Sequence, residues 1–178
     1  MHDLPITYRS VVYPCQCDHV GHMNVMWYVG KFDEATWQLF AMFGLTPSFP
    51  REQARGMAAV QQNISYKREL RPGDVVSIHS GVLEIREKAV RFFHEMCNDE
   101  TGEIAATAEM TGVHLDTVLR KSCPFPGTVF ERAGALILPE EGGNHRNEVA
   151  IRCSLGVKGG TMGDRIRPLI LPPSRPLA

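Results

Sequence analysis

The residues best suited to chemistry lie between positions 18 and 28, where the chain reads Asp-His-Val-Gly-His-Met-Asn-Val-Met-Trp-Tyr. The carboxylate of Asp18, together with Gly21, His22 and Asn24, falls just before an apolar pattern with helical spacing. The start of a helix has unpaired N–H groups and a partial positive charge, so it can hold an oxyanion. A base or nucleophile beside an oxyanion site is the minimum that acyl transfer requires. The segment therefore predicts an enzyme.

A long helix is predicted directly after this segment. Between Val25 and Phe43, apolar residues recur at steps of three and four, which is helical spacing. Asn24 has the side chain of a good N-cap, and Gly44 suits the position just after the helix. Because the apolar face is wide, we expect the helix to be largely buried.

Strand-like segments flank the helix in the sequence. One precedes it and four follow, and short turn-forming stretches such as 71–74 and 98–102 separate the later ones. Short links favour antiparallel hairpins. The pattern predicts an α+β fold in which one helix packs against an antiparallel sheet. The predicted strands are Thr7–Tyr13, Gly56–Tyr66, Asp74–Ile85, Ala89–Cys97 and Ile104–Leu115.

The end of the chain has a different character. Beyond about residue 130 the periodicity fades, and Gly142-Gly143, Gly159-Gly160 and Pro172-Pro173 interrupt any regular element. We therefore divide the chain into a domain over residues 1–133 and an irregular, poorly ordered extension over residues 134–178.

Bulk composition narrows the classes of function. With 178 residues, 43% of them hydrophobic and 22% charged, the chain has the composition of a globular protein. A net charge of -1 gives no reason to expect nucleic acid or a membrane as a partner, and no segment approaches the roughly 20 apolar residues of a membrane span. The N-terminus lacks the features of a secretory signal, and the five cysteines are irregularly spaced. We therefore expect a cytoplasmic protein with reduced thiols.

The motif and its position resemble the hotdog-fold acyl-CoA thioesterases of the 4-hydroxybenzoyl-CoA thioesterase type. The resemblance covers roughly residues 5 to 125. It implies a hotdog fold, in which a five-stranded antiparallel sheet wraps one long central helix. It also implies an acyl-CoA substrate at the interface of a homodimer or homotetramer, with no cofactor and no metal. The matching residues are Val12-Tyr13, Cys17-Asp18, Gly21-His22-Met23-Asn24, Tyr28 and the run from Tyr66 to Asp74.

The resemblance further implies roles for individual residues. Asp18 matches the catalytic carboxylate, which attacks the thioester carbonyl or activates a water molecule. The backbone N–H of Val25 matches the oxyanion donor, Gly21 lets the chain approach the acyl group, and His22 is a further candidate for the catalytic site. The expected substrate contacts are Asn24, Trp27, Tyr28, Lys67 and Arg68, the last two toward the phosphates of CoA.

Thioester hydrolysis requires few catalytic groups. A thioester is already activated, and its thiolate leaves near neutral pH without strong protonation. A carboxylate and an oxyanion site therefore suffice, and no metal is needed. The field of the helix start lowers the pKa of Asp18, which predicts an ionised carboxylate at neutral pH.

Structural interpretations of the same residues remain open at this point. Asp18 can cap a turn, Asn24 can serve only as the N-cap, and His22 can be a structural hydrogen-bonding residue. Glu34 is either a second carboxylate of the site or a surface residue. Four side chains within eight residues also suggest zinc, although their spacing is unlike that of structural zinc sites: Cys15, Cys17, His19 and His22.

Other functions are compatible with the same fold. The first is a non-catalytic module that binds acyl-CoA or an acyl carrier protein, because a fold does not fix a function. The second is a hotdog hydratase or dehydratase, although the sequence lacks the longer Asp/His signature of those enzymes. The sequence leaves the acyl group open, since it does not give the orientation of pocket candidates such as Met57, Val60 and Phe40.

Overall fold

The computed structural model describes residues 4–137 of the chain. A long helix and five long strands are present where the sequence predicts them, and a 3₁₀ turn spans Pro14–Gln16. The helices are α1 Val25–Met42, α2 Ser48–Gln53 and α3 Gly127–Gly134. The strands are β1 Ile6–Val11, β2 Arg55–Tyr66, β3 Val75–Ile85, β4 Ala89–Asn98, β5 Ile104–Asp116 and the short β6 Lys121–Ser122.

The predicted C-terminal extension falls mostly beyond this region. Helix α3 continues through Gly134 and buries Val129 and Ala133. The described chain then reaches Ile137, which pairs with Val82 of β3 in an isolated bridge. The rest of the predicted extension, residues 138–178, lies outside the described residues.

Helix α1 begins and ends as the sequence predicts. The Asn24 side chain accepts a hydrogen bond from the N–H of Met26 at 3.0 Å, which is N-cap geometry. Gly44 has a φ of +100°, the left-handed conformation in which glycine commonly follows a helix. The apolar face of α1 is buried, since Phe32 and Leu39 are at most 1% exposed. Burying such a side chain stabilises the fold by roughly 1.5–3 kcal/mol.

The strands form one antiparallel sheet against which α1 packs. Its order is β1-β3-β4-β5-β2, so β1 and β2 are the edge strands. The short strand β6 pairs with Leu115 and Asp116, beyond the point where β4 ends its pairing with β5. No helix among residues 4–137 is long and apolar enough to cross a membrane.

One predicted hairpin is wrong. Strands β2 and β3 are not neighbours, because β4 and β5 lie between them. The link at residues 67–74 spans three strand spacings of about 4.8 Å each, which is within the reach of an extended segment of that length. The second half of this link is held by the chain before α1. The N–H of Met23 donates to the carbonyl of Leu70 at 2.7 Å, and the N–H of Gly73 donates to that of Val12 at 2.9 Å.

A series of buried, hydrogen-bonded polar side chains connects α1 to the edge strand β1. The imidazole of His94 on β4 lies 2.9 Å from the Thr36 hydroxyl of α1 and 2.6 Å from the Ser80 hydroxyl of β3. Ser80 in turn lies 2.5 Å from the hydroxyl of Thr7 on β1. Burial lowers the pKa of His94 to about 3, so this imidazole is neutral near physiological pH. These hydrogen bonds fix α1 over β1, β3 and β4. The four residues that form them are too far apart in the sequence for the connection to be predicted from it.

Candidate active site

The predicted catalytic segment is a tight loop at the start of α1. Cys17 and Met23 pair across its base in an antiparallel bridge. Inside the loop, the N–H of Asp18 donates to the carbonyl of His22 at 3.1 Å, and the N–H of Gly21 donates to that of Asp18 at 3.0 Å. Gly21 has a φ of +93°, which a residue with a side chain adopts only with strain. The sequence therefore closes the loop with the residue type that its turn requires.

The Asp18 carboxylate is held by two donors. Its Oδ1 accepts the N–H of Val20 at 2.9 Å, and its Oδ2 accepts the side-chain amide of Asn24 at 3.4 Å. The Val20 hydrogen bond is the largest cause that lowers the pKa of Asp18, and His22 and Asn24 contribute further. The predicted direction of this shift agrees, and its first cause is the hydrogen bond from the loop N–H of Val20. Asp18 is thus an ionised, half-buried carboxylate.

The first N–H group of α1 belongs to Val25, seven residues after Asp18. Both polar atoms of the Asn24 side-chain amide form hydrogen bonds. The oxygen accepts the N–H of Met26, and the nitrogen donates to Asp18. Within residues 4–137 the N–H of Val25, the first residue of α1, has no acceptor. An unpaired N–H at a helix start is the kind of donor that stabilises an oxyanion. The same short segment therefore contains a fixed carboxylate and a free donor.

Tyr28 and Trp27 lie deeper than the loop. Tyr28 is 4% exposed, its hydroxyl donates to the carbonyl of Arg68 at 3.3 Å, and its ring meets the edge of Tyr66 with 5.2 Å between centroids. Burial raises the pKa of Tyr28 to about 12, which keeps the hydroxyl protonated. Trp27 is partly buried against the core. Within residues 4–137, Tyr28 connects the first turn of α1 to the end of β2.

The predicted CoA-binding residues lie on the link that follows β2. The backbone N–H groups of Lys67 and Arg68 both donate to the carbonyl of Ala105, at 2.8 and 3.0 Å. Their side chains are exposed, and Arg68 forms an exposed ion pair with Glu103 at 3.5 Å. An exposed ion pair is weak, so the guanidinium stays available to a phosphate. The hydrogen bond from Tyr28 to Arg68 ties this basic segment to the site.

The remaining candidates are distributed around the loop. His22 is partly buried and approaches Glu69 of the same link, with Nε2 and Oε1 3.9 Å apart. His19 and Glu34 are exposed. In the described part of the chain, no group of three or more His, Cys, Asp and Glu side chains is arranged to hold a metal ion. The thiol of Cys17, one of the suggested zinc ligands, donates instead to the carbonyl of Tyr13 at 3.7 Å.

Sequence reasoning missed two residues that support the loop. The side chain of Gln16 accepts the N–H of Tyr13 at 3.1 Å, and its carbonyl accepts the N–H of Asn24 at 2.9 Å. Leu70 is fully buried beneath the loop and accepts the N–H of Met23. The signals were present, since Pro14 marks the start of a helical turn and Leu70 is an isolated apolar residue in a charged run.

Comparisons with known proteins find similar sequences and folds. The family described as the thioesterase-like superfamily matches residues 12–133. A betainyl-CoA thioesterase of Pseudomonas aeruginosa is 25% identical over 130 residues, which cover 73% of this chain and 82% of that protein. A Staphylococcus aureus protein solved in complex with CoA has a TM-score of 0.72 at 19% identity, covering 85% of this chain and 98% of that one. A Thermus thermophilus thioesterase complexed with coenzyme A and Zn has a TM-score of 0.65 at 23% identity, covering 76% and 96%.

Proposed function

Because the chain belongs to the thioesterase-like superfamily, we propose that it hydrolyses acyl-CoA thioesters and that Asp18 is the catalytic carboxylate. One observation carries the proposal. Asn24 holds the Asp18 carboxylate through its amide while it caps the helix whose first N–H, that of Val25, is free within the described residues. A carboxylate and an oxyanion donor are thereby held by a single side chain.

The proposed reaction uses both groups. The thioester oxygen accepts the N–H of Val25, and the partial positive charge of the helix start stabilises the negative charge that develops on this oxygen. Asp18 takes a proton from a water molecule as the water oxygen attacks the carbonyl carbon. The tetrahedral intermediate collapses, the C–S bond breaks, and the CoA thiolate leaves as the acid forms. The proton on Asp18 then passes to solvent.

A nucleophilic route uses the same geometry. Asp18 would attack the carbonyl carbon directly and expel the thiolate, and water would then hydrolyse the acyl–Asp18 anhydride. The appearance of ¹⁸O on Asp18 after a single turnover in ¹⁸O-water would identify the nucleophilic route. The general-base route places ¹⁸O in the released acid and none in the enzyme, whereas attack of water on the Asp18 carbonyl carbon of the anhydride leaves one ¹⁸O on Asp18.

Binding of CoA is assigned to the basic link after β2. Lys67 and Arg68 are exposed. Within residues 4–137 the guanidinium of Arg68 forms one ion pair, with the exposed Glu103, and also donates to the carbonyl of Lys67 at 3.0 Å. Phosphates bind guanidinium and ammonium groups through charge-assisted hydrogen bonds, which outcompete a solvent-exposed carboxylate partner. Tyr28 joins this link to α1, so the phosphates and the thioester would be held on one connected support.

We further propose a homodimer formed through β2. This edge strand has 12 residues, and Val60 and Tyr66 on it are 61% and 49% exposed. A long edge strand with exposed apolar side chains is a template for strand pairing. Light scattering after gel filtration should give a mass of twice the 19.9 kDa of one chain. A monomer at micromolar concentration would exclude this dimer.

The function is tested by thiol release from a panel of acyl-CoAs that includes betainyl-CoA, because a relative bears that activity in its name. We expect selective release in the wild-type protein and a loss of at least about 100-fold in Asp18→Asn, the scale of losing a positioned catalytic group. Activity retained within a few-fold would remove Asp18 from the mechanism. Saturable acyl-CoA binding without release would instead identify the binding module.

A further inference from the structure

A lysine is buried between α1 and β1, on the second turn of the helix that follows the loop. Lys31 is 2% exposed, although it carries a charged group on a helix. Its Nζ lies 3.3 Å from the hydroxyl of Ser10 and 3.5 Å from that of Tyr8, and 5.4 Å from the centre of the Tyr8 ring. These contacts fix the ammonium group over the inner face of the edge strand.

The strand geometry that presents these hydroxyls is specific. The pairing of β1 with β3 shifts by one residue between Ile6 and Tyr8, so Thr7 forms a bulge. The bulge brings the hydroxyl of Thr7 into the core, where it meets Ser80, and still directs Tyr8 and Ser10 toward α1. The two hydroxyls beside Lys31 thus depend on a distortion of the strand.

The ammonium group has no anionic partner. Among the described residues, Lys31 takes part in no ion pair, and the acidic residues nearest to it in the sequence, Asp33 and Glu34, are exposed. Its two acceptors are neutral hydroxyls at the long end of the hydrogen-bond range. A buried cation that is compensated only by neutral groups is costly, and an anion would remove that cost.

Two donors between α1 and β1 remain unused. A lysine ammonium has three N–H groups, and only two acceptors lie beside this one. The hydroxyl of Tyr8 accepts from Lys31, and in residues 4–137 its own proton has no acceptor. The hydroxyl of Ser10, in contrast, already donates to the carbonyl of Val11 at 3.1 Å. An oxygen atom placed beside Nζ and the Tyr8 hydroxyl would accept from both.

We propose that Lys31 and Tyr8, supported by Ser10, form a site for a small oxyanion, a phosphate or carboxylate group. The site uses none of the residues of the loop at 17–24 and does not depend on the proposed reaction. Its ligand is either a free ion or an anionic group of a larger molecule such as CoA. Both sources offer the same chemistry, which is negatively charged oxygen that can accept two hydrogen bonds.

Thermal unfolding of the full chain in sodium phosphate tests the site, with sodium chloride at equal ionic strength as the reference. Phosphate stabilises proteins in general by exclusion from their surface, so the readout is the difference between variants. The wild-type melting temperature should rise saturably, by roughly 3–6 °C at ten times the Kd. Lys31→Met should lose this saturable part. Lys88→Met, which removes an exposed lysine in the β3–β4 turn, should keep it.

A second variant keeps the test informative if Lys31→Met does not fold. Tyr8→Phe retains the ring beside Lys31 and removes one donor, so phosphate affinity should fall several-fold. Equal phosphate responses in the wild type, Lys31→Met and Tyr8→Phe would overturn the proposal. Titration with CoA identifies the source. An unchanged CoA affinity in Lys31→Met indicates a free ion, and a parallel loss indicates a phosphate carried by CoA.

Discussion

The amide nitrogen of Asn24 lies 3.4 Å from Oδ2 of Asp18, and the oxygen of the same amide accepts the N–H of Met26 at 3.0 Å. One side chain therefore joins the proposed catalytic carboxylate of Asp18 to the first turn of α1. Any rotation of Asn24 that breaks the contact with Asp18 also uncaps the helix. Asn24 is thus both the N-cap that the sequence predicts and a positioning residue for Asp18.

The two roles of Asn24 can be separated by substitution. Asn24→Ser keeps an N-cap of similar quality but has no amide donor for Asp18, so kcat should fall by about 10-fold with little change in melting temperature. Asn24→Ala removes the cap as well and should cost a further 0.5–2 kcal/mol, roughly, in the free energy of unfolding. Wild-type kcat in the serine variant would show that the contact with Asp18 does not support catalysis.

Gly21 is expected to matter because of its backbone alone. A Cβ at this position would meet no atom within 4 Å, so Gly21→Ala tests the cost of a φ of +93° without a steric clash. It should lower the free energy of unfolding by about 1 kcal/mol and reduce kcat, because it strains the loop that holds Asp18. Gly30→Ala is the matched control. Gly30 lies on α1 with equally open space, so its substitution should stabilise the protein by about 0.5–1 kcal/mol. Equal effects of both variants would contradict the role of the conformation.

Local signals in the sequence were sufficient to predict the long helix, the five main strands and the family. The N-cap at Asn24, the glycine after α1 and the five long strands follow from residue types and periodicity, and all are present. The hotdog-type thioesterase family and the class of thioester hydrolase were predicted from the motif around Asp18 and are confirmed by the matches to known thioesterases.

Strand pairing, the cause of the Asp18 pKa shift and the short helices could not be predicted from the sequence, each for a physical reason. The turn residues at 71–74 predict a hairpin between β2 and β3, but β2 pairs instead with the free edge of the long strand β5. The first cause of the low pKa of Asp18 is a loop N–H, that of Val20, whose approach to the carboxylate depends on the folded shape of the loop. Helices α2 and α3 have six and eight residues, too few to show a periodic pattern.

The buried hydrogen bond between Thr36 and His94 predicts that two substitutions of Thr36 will differ in their effect on stability. Thr36→Val keeps the shape of the side chain. It leaves one nitrogen of His94, a fully buried residue, without a hydrogen-bond partner. The free energy of unfolding should fall by about 1–3 kcal/mol, the cost of an unsatisfied buried polar group. Thr36→Ser keeps the hydroxyl and should cost less, although it removes a methyl group. Urea denaturation measures both, and a serine variant less stable than the valine variant would refute the importance of the hydrogen bond.

Glu95 predicts a pH dependence of stability that a variant can isolate. It is 2% exposed on β4, opposite His79 and Thr107, and burial raises its pKa to about 7, partly offset by Lys67. The folded state therefore binds this proton more tightly than the unfolded state, whose carboxyl has a pKa of 4.5. The resulting stability is fully present below about pH 4.5 and is lost as the pH rises through about 7, by up to about 3 kcal/mol.

His94 has the opposite effect, which sets the design of this experiment. Its pKa of about 3 in the folded state lies below the 6.5 of the unfolded state, so its contribution is present above pH 6.5 and is lost as the pH falls. Between about pH 4.5 and 6.5 the two groups oppose each other, and the wild-type profile alone is uninformative. The difference in unfolding free energy between the wild type and Glu95→Gln cancels His94. It should shift in favour of Glu95→Gln by up to about 3 kcal/mol from pH 4.5 to 8. A difference that does not change with pH would show that Glu95 titrates alike in both states.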